Sequence, residues 1–299
     1  VVDDIHSYQN EADIPLLIGV DEEGGTVVRV SSNPNLRETP FLSPKDTYAD
    51  GGWDAVKQDA EEKADLLLSL GINVNLAPVC DMTSDEYGFM YDRSFSSDVD
   101  MENRYVRTVV ETSKSKKLGT VLKHFPGYGN NSDTHTGIAY DDRDYSKFEN
   151  TDFKPFYQGI ESGADCILVS HNIVNCMDSE YPASLSQKVH DILRNEFKFD
   201  GVIMTDDLIM NAITDFTGDE AAAVTAAKCG NDLLCCSSVD TQYPAVLEAV
   251  QNGEISEAQV DASVKRILKW KQNLGIFNID TYQKKVKSTE PTDTVGSEE

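Results

Sequence analysis

Six short apolar runs of β type recur along this chain, at residues 16–20, 72–77, 119–123, 166–170, 201–205 and 232–236. Amphipathic stretches separate them, among them 53–70, 101–117, 186–197 and 218–229. The runs are almost continuously apolar rather than alternating, as expected for parallel strands covered on both faces. Repeated βα units of this kind build either a barrel or a doubly wound sheet. Polar residues gather where the runs end: Asp21, Asp81, His124, His171 and Asp206. In a barrel that end carries the chemistry, so a barrel is the better reading.

The expected fold is therefore an α/β, TIM-type (β/α)8 barrel. Six strands are evident rather than eight, so the first βα unit is expected to be missing at the N-terminus and a short strand to lie near the C-terminus. A last helix, 257–271, repeats apolar residues at Val260, Val264, Ile267 and Leu268, a stripe suited to docking on the body. The barrel is expected to occupy 1–280. Residues 281–299, rich in Lys, Ser, Thr, Pro and Glu, read as a flexible polar tail.

Composition narrows the partners. With 39% hydrophobic residues the chain can form a sizeable core, and no run of about eighteen apolar residues offers a membrane span. Fifty-two acidic residues against 26 basic ones leave a net charge of -26, which repels nucleic acid. Of six cysteines, Cys166, Cys235 and Cys236 lie in apolar runs, and none forms a C-x2-C pair. Neither a dense disulfide framework nor a metal or organic cofactor is implied, and a cytoplasmic location is slightly favoured. The chain opens at Val1 without Met, so a removed leader and the cell envelope stay open as the other location.

Four segments hold candidate chemistry. In Gly201-Val-Ile-Met-Thr-Asp-Asp-Leu a strand ends in two carboxylates. Asp207 suits a helix N-cap, whereas Asp206 at the strand end can serve as nucleophile or base. In Lys123-His-Phe-Pro-Gly-Tyr-Gly-Asn-Asn-Ser-Asp-Thr-His135 a strand delivers Lys123 and His124, and a Gly- and Asn-rich loop follows. That loop carries Asp133 and His135 two residues apart, a spacing that lets the carboxylate orient the imidazole for proton transfer near neutral pH. Only five histidines serve the whole chain, so two in one segment is notable. The other segments are Gly19-Val-Asp-Glu-Glu-Gly-Gly-Thr-Val-Val-Arg29, where paired glycines also fit a hairpin, and Asp92-Arg-Ser-Phe95, where Arg93 also fits a surface ion pair. No dinucleotide-type glycine fingerprint is present.

Together these segments resemble family 3 glycoside hydrolases, and within them the β-N-acetylglucosaminidase (β-N-acetylhexosaminidase) branch. The matching pieces are Ile18-Gly-Val-Asp-Glu-Glu-Gly-Gly, Asn75-Leu-Ala-Pro-Val-Cys-Asp81, Asp92-Arg-Ser-Phe, Lys123-His-Phe-Pro-Gly-Tyr-Gly, Asp133-Thr-His135, Pro182-Ala-Ser-Leu-Ser and Thr205-Asp-Asp-Leu, in the family's order. The resemblance implies a (β/α)8-type barrel and a retaining exo-acting enzyme that removes terminal N-acetylglucosamine from glycans such as peptidoglycan or chitin fragments. It implies Asp206 as catalytic nucleophile and His135, oriented by Asp133, as general acid/base, in place of the second carboxylate that most retaining glycosidases use. It implies that Asp21, Arg29, Arg93, Lys123 and His124 grip the sugar. Tyr128 stands where many relatives carry a second histidine, and Asn130-Asn131 replace more acidic loop residues.

Other readings compete. A phosphorylase of the same branch would use phosphate in place of water, since a histidine acid/base avoids repelling an anion. A β-glucosidase fits less well with the Asp-x-His loop. From outside the glycosidases, Lys123 at a strand end is also placed like the Schiff-base lysine of a barrel aldolase.

Overall fold

The computed structural model describes residues 1–131, 133–134, 137–217 and 219–283 of the 299. His135 and residues 284–299 lie outside the described residues. Seven strands are present among them: β1 (Gly19–Val20), β2 (Val74–Asn75), β3 (Gly119–Phe125), β4 (Tyr140–Asp141), β5 (Cys166–Val169), β6 (Ile173–Val174) and β7 (Val202–Thr205). The helices are α1 (Val2–Glu11), α2 (Pro44–Ser69), α3 (Val99–Lys116), α4 (Tyr145–Lys147), α5 (Phe153–Ser162), α6 (Gln187–Asp191), α7 (Asn211–Thr214), α8 (Asp219–Lys228), α9 (Val239–Gln251) and α10 (Glu257–Asn273).

The main sheet runs β1-β2-β3-β5-β7, every neighbouring pair parallel. That order follows the chain without reversal. A doubly wound sheet must reverse at a switch point, so the strands wind one way round as in a barrel. The described residues form a parallel α/β curl of the TIM type with helices outside, rather than a closed ring of eight. The β4–β6 pair is a separate short ribbon.

The apolar run at 232–236 was expected as a sixth full strand, and it adds only one bridge, Met204 to Leu233. Main-chain bonds from Asp232 N–H to the Ile203 carbonyl at 2.7 Å and from Thr205 N–H to the Leu233 carbonyl at 3.2 Å hold it to β7, and side chains add to them. The buried Asp232 carboxylate accepts the Ile203 N–H at 2.9 Å and also binds Arg194 and Arg266, while Thr205 Oγ1 accepts the Cys235 N–H at 3.0 Å. In α2, Gly51 and Gly52 break the helical dihedrals, so its second limb starts at Trp53 as the periodicity predicts. Asp98 caps α3 by accepting the Met101 N–H, and Ser256 caps α10 by accepting the Gln259 N–H. Within 281–299, residues 281–283 continue a helical turn that sets Tyr282 against Phe277.

Alternation along the strands divides two cores. Leu122, Phe125, Ile167, Val169 and Ile203 face outward onto the helix layer with Val106, Val110, Phe153 and Phe156. Val74, Val121, Cys166, Leu168, Val202 and Met204 face inward, where Trp270 of α10 joins them. Trp270 lies against Gly119, the first residue of β3, and so fills the interior at the N-terminal ends of the strands. A Cβ at Gly119 would meet the indole at 3.1 Å. Helix α10 therefore closes one end of the curl and leaves the other, polar end to the loops. Trp270→Ala should cost about 3–5 kcal/mol of unfolding free energy, read from the urea midpoint. A loss under about 1 kcal/mol would mean the tryptophan is not the plug.

Candidate active site

The loops at the C-terminal strand ends enclose a cavity of about 660 Å³. Of the residues singled out in the sequence, Asp21, Arg29, Arg93, Lys123, His124, Asp133 and Asp206 all line it. Glu23, Phe89, Asp92, Tyr128 and Asp207 line it as well.

Strand β3 places two neighbouring side chains at this cavity. Its register against β5 shifts between Leu122 and Phe125, and the irregularity brings both Lys123 and His124 to the lining. Lys123 is 2% exposed and its ammonium donates to Asp21 at 2.5 Å and to Glu23 at 2.6 Å. Arg93 completes the array with a two-pronged contact to Glu23, Nε at 2.9 Å and Nη2 at 2.8 Å. Burial opposes the Lys123 charge, but Glu23 and Asp21 outweigh it and raise its pKa. A Schiff-base lysine needs the opposite shift, so the aldolase reading loses its nucleophile. Burial likewise opposes ionisation of Glu23, yet Lys123 and Arg93 hold its carboxyl at about 2. Arg93 is thus part of a buried network and not of a surface pair.

His124 has its protons assigned by its neighbours. Arg93 Nη2 can only donate, so the His124 Nε2 that it meets at 3.2 Å accepts. Nδ1 then carries the proton and donates to buried Asp81 at 2.7 Å, and the same carboxylate accepts the His124 and Tyr128 N–H groups. Tyr128 packs edge-on against His124, and its hydroxyl pairs with Thr134, the residue after Asp133.

Asp206 follows β7 directly and is partly exposed to the cavity. Burial alone would raise its pKa, but the electrostatic pull of neighbouring His171, the Asp207 N–H donating at 2.9 Å and the Lys123 ammonium lower it. The carboxylate is therefore ionised throughout the neutral range. His171, fully buried, donates from Nε2 to the Asp207 carbonyl at 3.0 Å and meets Ser184 through Nδ1. Asp207 is not the helix N-cap expected of it. Its carboxylate accepts from Ile209 N–H and from Ser237, closing a turn before α7 begins.

On the β1 side, Gly24 and Val27 form a tight antiparallel bridge, the hairpin that the paired glycines suggested. Glu22 turns away from the cavity and accepts the N–H groups of Arg29, Val30 and Ser31. This fixes the backbone from which Arg29 reaches the lining. Among the described residues Arg29 makes no ion pair, so its charge stays available to a ligand. Glu22 and Glu23 were not singled out individually in the sequence, whereas His171 was named as a strand-end residue and lies beneath the site, bonded to Asp207. The signal for Glu23 was a lysine in an apolar strand, which requires a counter-charge.

A parallel α/β curl with ionised carboxylates and fixed donors at its C-terminal end defines an enzyme-type barrel site. The chain belongs to glycosyl hydrolase family 3: the model of that family's N-terminal domain matches residues 2–270. It is 32% identical to a beta-hexosaminidase of Hydrogenovibrio crunogenus over 82% of this chain and 70% of the relative. To beta-hexosaminidase A of Pseudoalteromonas piscicida it is 30% identical over 90% of this chain and 49% of the relative. Among solved structures, a family 3 beta-N-acetylglucosaminidase from Paenibacillus superposes with a TM-score of 0.82 at 29% identity, over 95% of this chain and 53% of the other. The chain thus spans about half the length of the last two.

The Glu23 network carries a pH signature. A folded pKa of about 2, below the ordinary carboxylate value, stabilises the fold above that ordinary value and loses this contribution as pH falls from about 4 towards 2. The contribution is about 3 kcal/mol. Glu23→Gln should be less stable at neutral pH and lose less on acidification, compared by thermal melts at pH 7 and pH 3. Parallel curves for the two proteins would disprove the coupling.

Proposed function

We propose that this chain carries the active site of a retaining exo-β-N-acetylglucosaminidase acting on glycans such as peptidoglycan or chitin fragments. The observation that carries the reading is Asp206, an ionised strand-end carboxylate facing the same cavity as Lys123, His124, Arg93, Arg29 and Asp21. The curated relatives named beta-hexosaminidase support the choice of sugar.

In this reading an Asp206 oxygen attacks the anomeric carbon while His135, oriented by Asp133, gives its proton to the departing glycosidic oxygen. The bond from C1 to the aglycone breaks and a glycosyl-aspartate ester forms. His135 then takes a proton from water, whose oxygen attacks C1 and frees Asp206, so the configuration is retained. Lys123 and Arg93, held by Asp21 and Glu23, present donors to sugar hydroxyls. His124, with Nδ1 bonded to Asp81, is locked in orientation. Such fixed contacts place C1 over Asp206 without reorganisation in the transition state.

Two measurements test this. In phosphate-free buffer, nitrophenyl N-acetyl-β-glucosaminide should be cleaved at least about tenfold faster than the matching β-glucoside, a difference of about 1.4 kcal/mol. A slow fluorosugar of N-acetylglucosamine should leave its mass on the peptide containing Asp206, and Asp206→Ala should abolish both turnover and labelling. Label on another residue, or near-normal turnover by the variant, would remove Asp206 as nucleophile.

A further inference from the structure

The segment between β3 and β4 carries Asp133, and an ion cluster outside the cavity grips its base. Arg143 lies just after β4. Its Nη2 donates to the Gly127 carbonyl at 3.0 Å and to Asp141 at 2.7 Å, its Nε donates to both Asp141 oxygens at 3.0 Å, and its Nη1 donates to Asp152 at 2.8 Å. Asp141 and Asp152 are almost wholly buried, and the guanidinium stacks 4.3 Å over the Phe148 ring. One planar group therefore ties the outgoing arm of the loop, at Gly127, to the returning arm, at Asp141, and both to Asp152 ahead of α5.

The loop backbone rests directly on this clamp. Gly127 has φ +121°, and a Cβ there would meet Asp152 at 2.6 Å; Gly129 has φ +56°, and a Cβ there would meet the Arg143 guanidinium at 2.7 Å. The two glycines of Pro126-Gly-Tyr-Gly129 answer to this contact as well as to their dihedrals. Farther along, Asn131 donates to Asp141 at 2.7 Å, and Thr83 donates to Asn130 at 2.7 Å. The returning arm is held by the β4–β6 pairing, which follows shortly after His171. None of Arg143, Asp141 and Asp152 lines the cavity with Asp206, so they reach the chemistry only through the loop.

We infer that Arg143 is a positioning residue for the acid/base step, fixing the base of the 126–141 loop and so the place from which Asp133 acts. The inference rests on the reading of Asp133 and His135 as the acid/base pair. Removing the guanidinium would strand the buried Asp141 and Asp152 carboxylates and so also cost stability, which is why the test reads leaving-group dependence and not activity alone. Lysine is a poor substitute, since its three donors radiate from one atom and do not reproduce the planar fork whose separate nitrogens meet Gly127, Asp141 and Asp152.

The test compares wild type with Arg143→Lys and Arg143→Gln on aryl N-acetyl-β-glucosaminides of rising leaving-group pKa and on a disaccharide. Hydrogen exchange of the same full-length proteins is followed in parallel. Both variants should lose no more than about threefold on dinitrophenyl substrates and about 100-fold on the disaccharide, with the basic limb of kcat/KM displaced. Amides of the described loop residues should exchange faster while those of β3 and β5 do not. Equal losses on every leaving group, or unchanged exchange in the loop, would overturn the positioning role. If wild type cleaves none of these glycosides, the enzymatic reading fails, and the exchange data alone then decide whether Arg143 clamps the loop.

Discussion

Lys123 sits at the end of a strand with its ammonium removed from water, and such a charge is tolerated only if its partners are fixed around it. Asp21 and Glu23 meet that demand from the β1 end, and Arg93 ties the same Glu23 from the loop after β2. Three separate pieces of chain are thereby locked together by one cluster of charges. Arg93 then sets the tautomer of His124, and His124 sets Asp81, whose other oxygen holds the start of the Tyr128 loop. The cavity lining is a chain of obligations that begins at one buried lysine.

The rest of the fold supplies a rigid seat for that cluster. Strands with apolar side chains on both faces are held by the outer helices and by an interior filled from below by Trp270. Because the interior is packed rather than hollow, the strand ends cannot shift independently, and the loops inherit fixed starting points. The two loops that matter are stabilised differently. The 22–31 turn uses one buried carboxylate, Glu22, to collect backbone N–H groups, whereas the 126–141 loop is gathered by the Arg143 fork. A carboxylate suits a tight turn with converging donors; a guanidinium suits two arms and a helix that must meet in a plane.

Much of this was legible in the residues. Continuous apolar runs gave away buried parallel strands, and the polar residue closing each run gave away the chemical end. Asp21, His124 and Asp206 were found this way because strand ends are determined by period and burial alone. Glu23 was not, since adjacent carboxylates beside paired glycines look the same whether solvated or buried. Arg93 looked like a surface pair for the same reason: a sequence shows charge but not its dielectric surroundings. Asp207 resembled an N-cap because Asx turns and helix caps use the same side chain. The run at 232–236 resembled a full strand because its composition is right; composition does not show that its pairing with β7 is short, nor that Asp232 bonds Arg194, Arg266 and the Ile203 N–H from distant elements.

Charge acts on this molecule at two length scales, and they point in opposite directions. The chain as a whole carries -26, yet Lys123, Arg93 and Arg29 converge on the cavity, and Lys123 helps keep Asp206 ionised. At physiological ionic strength, charges more than about 8 Å apart across solvent are largely screened, so the acidic exterior barely weakens the buried array. The exterior still governs approach: anionic polymers meet a repulsive surface before they reach the pocket. A neutral sugar meets no such barrier and finds donors already fixed by their own counter-ions. In the proposed reading, an ionised Asp206 beside those donors has little to gain from a neutral ground state and much from positive charge developing at the atom it would attack, which is the differential stabilisation that glycoside cleavage requires.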